Sequence, residues 1–172
     1  MAVQHFDFAQ FKLPVHTVAV CDPEFHFLCR LAVAAAGPDA IEPLILLLTG
    51  DIDNDTMWYV SNALAKTGEP CVDSLIEVLK NFPDDNVKRY AAAALAGIGA
   101  PAVHELIAIF EDDDSVTRGL ASKALIRIGR PAVGPLSSFI RESDAEEISH
   151  RCAVITLEKL GSSEPESVEK VL

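Results

Sequence analysis

Aromatic residues make up only 6% of this 172-residue chain, against 49% hydrophobic residues overall, so its core must be built mainly from aliphatic side chains. Positive charge is also scarce, with 14 Lys and Arg against 26 Asp and Glu and a formal net charge of −12. That is the wrong sign for gripping phosphate backbones by counterion release, and nucleic acid is not an expected partner. Long uncharged runs are missing too. The longest is the 15 residues of Tyr90–His104, interrupted by Gly97, Gly99 and Pro101, whereas a bilayer span needs about 20 apolar residues. No membrane span is expected. The first residues lack the basic start and apolar stretch of a secretory signal, so a cytoplasmic chain is expected.

Chemistry-bearing patterns are equally sparse. Cys21, Cys29, Cys71 and Cys152 form no CxxC pair, and buried reduced thiols are the expectation. His5, His16, His26, His104 and His150 form no HxxxH pair, so no metal site is expected. There is no GxSxG elbow, no Gly-rich loop after a strand, and no strand alternation. A non-catalytic chain without a cofactor is the reading.

What is present is repetition. Gly37, Gly68, Gly99, Gly129 and Gly161 are spaced by 31, 31, 30 and 32 residues, and each is followed by a proline: Pro38, Pro70, Pro101, Pro131 and Pro165. A glycine and then a proline marks the end of one helix and the start of another. Seven residues after the glycines stand Leu44, Leu75, Leu106, Leu136 and Val168. Four residues before them stand Val33, Leu64, Leu95, Leu125 and Leu157. With further apolar positions four and eleven residues after each glycine, these trace the buried faces of two successive helices, a helix A before the turn and a helix B after it. Small residues eight and five before the glycines, such as Ala91 and Ala94, suit close approach of an antiparallel A–B pair. One such pair cannot bury both faces alone, so the units must stack.

The linkers from each B to the next A are acidic, as in Asp51-Ile-Asp53-Asn-Asp55 and Asp112-Asp113-Asp114-Ser115. The first resembles the start of a calcium loop, but Thr56 stands where that loop turns on glycine and Asn62 where it needs a bidentate glutamate. Helix capping explains these carboxylates better, and their recurrence makes an acidic ridge open to a basic partner. His26, Lys88, Arg89, Arg118, His150 and Arg151 form a basic band near the A-helix starts, read as local pairing with the linkers.

The segment from Asp85 through Lys88-Arg89-Tyr90, Gly97-Ile98-Gly99 and Pro101 to Leu106 resembles the short HEAT repeat of the phycobilin-lyase-like type. The segment from Asp114 to Val133 is similar, and the resemblance extends over residues 22–172. It implies an all-α, right-handed superhelix of about five helix pairs, with approximate repeats 22–50, 51–83, 84–112, 113–143 and 144–172 behind an N-terminal capping segment, residues 1–21. It also implies a concave binding face formed by the outward side of the B helices: Glu42, Leu46, Asp73, Glu77, His104, Glu105, Ser138 and Arg141. Phe27 and Trp58 stand where later repeats carry Arg89, Gly119 and Arg151, and are candidate aromatic hot spots. Packing by Phe6, Phe8 and Phe11 of the capping segment is the competing reading. His104-Glu105 is similar to the iron-bearing pairs of the HEAT-repeat hydroxylase acting on deoxyhypusine, but a single pair cannot supply that site.

The resemblance implies three functional classes. The first is a scaffold or adaptor that takes a protein or peptide, of basic character if it meets the acidic face. The second is a bilin-lyase-like auxiliary in tetrapyrrole attachment. The third, DNA-repair-like nucleic-acid binding, is opposed by the charge.

Overall fold

A computed structural model describes residues 40–144 and 147–163. Among these residues the chain is an all-α solenoid of eight α-helices: α1 (Ile41–Leu48), α2 (Asn54–Thr67), α3 (Val72–Asn81), α4 (Asp85–Ile98), α5 (Val103–Ala108), α6 (Ser115–Ile128), α7 (Val133–Glu142) and α8 (Ile148–Ser163). The even-numbered elements are A helices and the odd-numbered ones B helices. No helix among the described residues is long and apolar enough to cross a membrane. The capping segment, His26, Phe27, the first A helix, the last B helix, Cys21 and Cys29 lie outside the described residues.

Three of the four described A helices, α2, α4 and α6, begin on an aspartate. Asp53 caps α2 by accepting from the Thr56 amide, Asp84 caps α4 through the Asn86 amide, and Asp114 caps α6 through the amides of Val116 and Thr117. Amides that would otherwise lack an intrahelical partner are thereby satisfied. These helices end on Gly68, Gly99 and Gly129, whose φ values of 77°, 83° and 80° fall where L side chains are strained. A short 3-10 turn with a proline in its first two positions follows each glycine and leads into helix B.

The fifth glycine departs from the pattern. Helix α8 runs through Gly161 to Ser163, because its proline comes four residues later rather than two and nothing there stops the helix. Helix α5 is also shorter than its counterparts. It passes at Ile109 into a 3-10 turn that buries Ile109 and Phe110.

Leu64, Leu95 and Leu125 from the A helices and Leu75, Leu106 and Leu136 from the B helices are fully buried at equivalent positions. Each contributes about 2 kcal/mol by leaving water. The closest helix partners differ from the expected A–B pairs. Helix α4 packs chiefly on α2 and α3, α6 chiefly on α4 and α5, and α8 chiefly on α6 and α7. An A helix therefore sits tightest against the preceding A and the preceding B. It is looser against the B helix it leads into, because the glycine and the 3-10 turn swing that helix away.

Small residues are what permit the A–A approach. A Cβ added to Gly97 of α4 would lie 2.7 Å from the Ala65 Cβ of α2.

Candidate interaction surface

Polar contacts stitch the A helices into one layer. Ser61 Oγ of α2 donates to the Tyr90 carbonyl of α4 at 3.0 Å, and the hydroxyls of Ser122 in α6 and Thr156 in α8 lie 2.7 Å apart. At the outer edge, Asn86 donates to Asn54 Oδ1 at 2.7 Å. These partners are 29 to 34 residues apart, so successive A helices run parallel and side by side.

Between α4 and α6 the contact is ionic. Lys88 Nζ lies 2.9 Å from Asp114 Oδ2 and 2.9 Å from Thr117 Oγ1, and Thr117 Oγ1 lies 2.6 Å from the same carboxylate oxygen. The Thr117 hydroxyl and the Lys88 ammonium hold the Asp114 carboxyl well below the usual carboxylate range. Asp53 is lowered as well, first by the Thr56 amide, against an opposing effect of burial, with a further contribution from the Thr56 hydroxyl.

These contacts resolve the readings of the acidic linkers and basic band. The Asp53 oxygens are occupied by the Thr56 amide and hydroxyl at 2.9 and 3.0 Å, which is helix capping and not the geometry of a calcium loop. Among the described residues no three metal-ligating side chains converge. Lys88 does pair with a linker carboxylate, whereas Arg118 donates to the Asp112 backbone carbonyl and Arg89 to Asn86 Oδ1. His150 meets Ser143 Oγ at 3.0 Å. The band is thus one ion pair plus neutral contacts.

The candidate residues on the B helices form an open surface. Glu42 and Leu46 lie on α1, Asp73 and Glu77 on α3, His104 and Glu105 on α5, and Ser138 and Arg141 on α7. All are exposed except Ser138, which is half-buried. Helix α5 packs on both α3 and α7, so these helices present their outward sides in sequence order. The hydrogen bonds of this face stay local: Asn81 donates to Glu77 Oε2 at 2.6 Å, and Arg141 to Ser138 Oγ at 3.1 Å. Leu46 is 74% exposed, an unusual position for a large aliphatic side chain on a carboxylate-rich face.

Trp58, on α2, is 54% exposed and stacks edge-on against Tyr59, with ring centroids 4.8 Å apart. It lies on the A layer, so it does not join the B-helix residues in one site. Cys71 is buried and its thiol is pushed up by desolvation, with the Thr67 hydroxyl 2.9 Å away. Cys71 and Cys152 are free thiols, the second half-buried.

Sequence reasoning missed the polar links between A helices. The signal for them is faint: Ser61 and Ser122 share a position seven residues before their glycines, but Ala92 and Val154 occupy it in the other repeats.

No curated protein matches the chain. A family model described as HEAT repeats matches residues 72–154, a span that runs from the start of α3 into α8. Over that span the sequence is similar to HEAT repeats, and the stacked helices around it form the all-α solenoid such repeats build.

Proposed function

We propose that this chain is a non-catalytic scaffold or adaptor that binds a basic protein or peptide segment on the outward face of its B helices. The observation that carries the reading is the run of exposed carboxylates at successive B helices, Glu42, Asp73, Glu77 and Glu105, beside the 74% exposed Leu46. Such a face offers an apolar anchor at one end and a negative field along the rest. That combination suits a peptide with a hydrophobic residue and several cations. HEAT repeats commonly mediate protein–protein interaction, which supports the same class.

The test is a pull-down from the source cell with wild-type chain and with the double variant Glu77→Lys, Glu105→Lys. The expected result is a set of proteins recovered by wild type and lost from the variant. Equal recovery by both removes the acidic B face as the site.

The finer kinship with phycobilin-lyase-like repeats rests on the sequence resemblance alone. It implies retained colour, or chromophore transfer, after incubation with a bilin and its acceptor.

A further inference from the structure

The outward side of the A layer has the opposite character to the B face. Counting back from each glycine, the positions 13, 10, 6 and 2 residues before it are spaced as one helix face, and the A helices stand side by side, so these positions form rows across α4, α6 and α8. They contain the exposed cations Arg89, Lys123, Arg127, Arg151 and Lys159 and no carboxylate. Carboxylates appear at the border, at Asp85, Glu147 and Glu158, and on the neighbouring α2, where Asp55 holds the first of these positions. In a chain of net charge −12 this segregation is not what even mixing would produce.

Large apolar side chains are exposed on the same rows. Val116 is 42%, Ile148 50% and Ile155 49% exposed. Ile148 and Ile155 are seven residues apart and share one face of α8, while Val116 holds the position equivalent to Ile148 on α6. Between the cations lie small residues, Ala93 of α4 and Gly119 of α6. An added Cβ at Gly119 would meet nothing within 4 Å. The surface therefore alternates charged side chains with shallow gaps where a partner's backbone can approach.

We infer that the outward face of α4, α6 and α8 is a second docking surface, and that its occupant is an acidic, amphipathic segment of another protein. Charge complementarity sets the sign, since five cations on rows that carry no carboxylate favour Asp and Glu. Val116, Ile148 and Ile155 require apolar groups interleaved with those acids, which a phosphate backbone does not supply. Three parallel helices at about 9 Å spacing present about 20 Å of surface, which about six residues of extended chain would cross. The chain would then join a basic partner on one layer to an acidic partner on the other, although this inference stands independently of the B-face reading.

The test uses the full chain and a fluorescein-labelled peptide of about 12 residues built from Glu and Leu, twice the span the surface needs. Binding is read by anisotropy, alongside an all-Glu peptide of equal length and a single-stranded DNA oligonucleotide. The Glu/Leu peptide is expected to bind wild type and to lose about tenfold in affinity in the variant Lys123→Glu, Arg127→Glu. Ile155→Ser is expected to weaken it roughly fivefold. All three substituted side chains are exposed, and unchanged melting of each variant confirms the fold. The proposal is overturned if the Glu/Leu peptide does not bind or binds the charge-reversed variant equally. It is also overturned if the all-Glu peptide binds as well, if the oligonucleotide binds more tightly, or if labelled wild-type chain self-associates through these residues in preference to the peptide.

Discussion

Lys88 of α4 and Asp114, the cap of α6, tie consecutive repeats together: the ammonium is 2.9 Å from the carboxylate, and Lys88 is only 7% exposed while the aspartate reaches solvent. The two partners are therefore unequal. Removing the carboxylate strands a buried charge, whereas removing the lysine leaves a hydrated carboxylate still held by Thr117 and Val116.

This inequality sets an order among variants. Lys88→Met is expected to be neutral or stabilising by about 1 kcal/mol, since a buried pair replaced by a packed apolar chain loses little. Asp114→Ala is expected to be clearly more destabilising than Lys88→Met, and Thr117→Val to cost about 1–2 kcal/mol through lost hydrogen bonds. Urea midpoints with the slope held constant check the ranking. An Asp114→Ala protein as stable as Lys88→Met would mean that the pair does not link the repeats.

The same carboxylate sets the acid sensitivity. Both Asp114 and Asp53 titrate below their ordinary value of 3.8 in the folded chain. Their stabilisation is fully present above that value and is lost as pH falls through the lower folded values. Stability contributed by these two groups should be flat above about pH 5 and decline below about pH 4. Asp114→Asn, which keeps a capping oxygen but cannot titrate, should shallow that acid limb in a pH series of urea midpoints. An unchanged limb would assign it to other carboxylates.

Two helical glycines should respond oppositely to alanine. At Gly119 an added Cβ meets nothing within 4 Å, so Gly119→Ala should stabilise by about 0.5–1 kcal/mol through helix propensity. At Gly97 the new methyl would lie 2.7 Å from Ala65 Cβ, and Gly97→Ala should destabilise by about 1–3 kcal/mol. Adding Ala65→Gly to the second variant should recover part of that loss. Thermal melts of the three proteins decide it, and stabilisation at both glycines would refute the close contact of α2 and α4.

Thiol chemistry should separate the two described cysteines. Cys71 is fully buried, and burial raises its pKa, so little reactive thiolate is present at neutral pH. Alkylation of Cys71 should proceed only as fast as the chain opens, while Cys152, half-buried, should react sooner. Mass spectrometry of a labelling time course reads the two rates. Fast native labelling at Cys71 would show that the turn after Gly68 opens locally.

Much of the architecture was legible because helix stops and caps are local. The aspartates at 53, 84 and 114 and the glycines at 68, 99 and 129 act through their own neighbouring amides and their own φ angles, so the A helices could be bounded from the chain alone. The same logic failed at Gly161, where spacing suggested a stop but the distant proline let α8 continue. Glycine permits a break and does not compel one.

The candidate surfaces were less legible. The B-helix residues were placed by counting from the glycines, and the structure leaves them exposed in helix order, yet exposure is not recognition. The A-layer rows were hidden in the sequence because Arg89 and Arg151 share one offset from their glycines, while Lys123 stands four positions, and Arg127 and Lys159 eight positions, further along their repeats. Only the stacking of parallel helices brings them onto one face.

By itself, then, the sequence determined the helices, their ends and their apolar faces, since each depends on residues within a turn or two of chain. Tertiary structure decided which helices touch. It set each A helix against the preceding A and B rather than against its own successor, because a glycine-led turn redirects the chain and small residues such as Gly97 and Ala65 admit the closest backbones. It also buried Lys88 against Asp114 and brought the cations of α4, α6 and α8 onto one face, through contacts between residues a full repeat apart that no local pattern encodes.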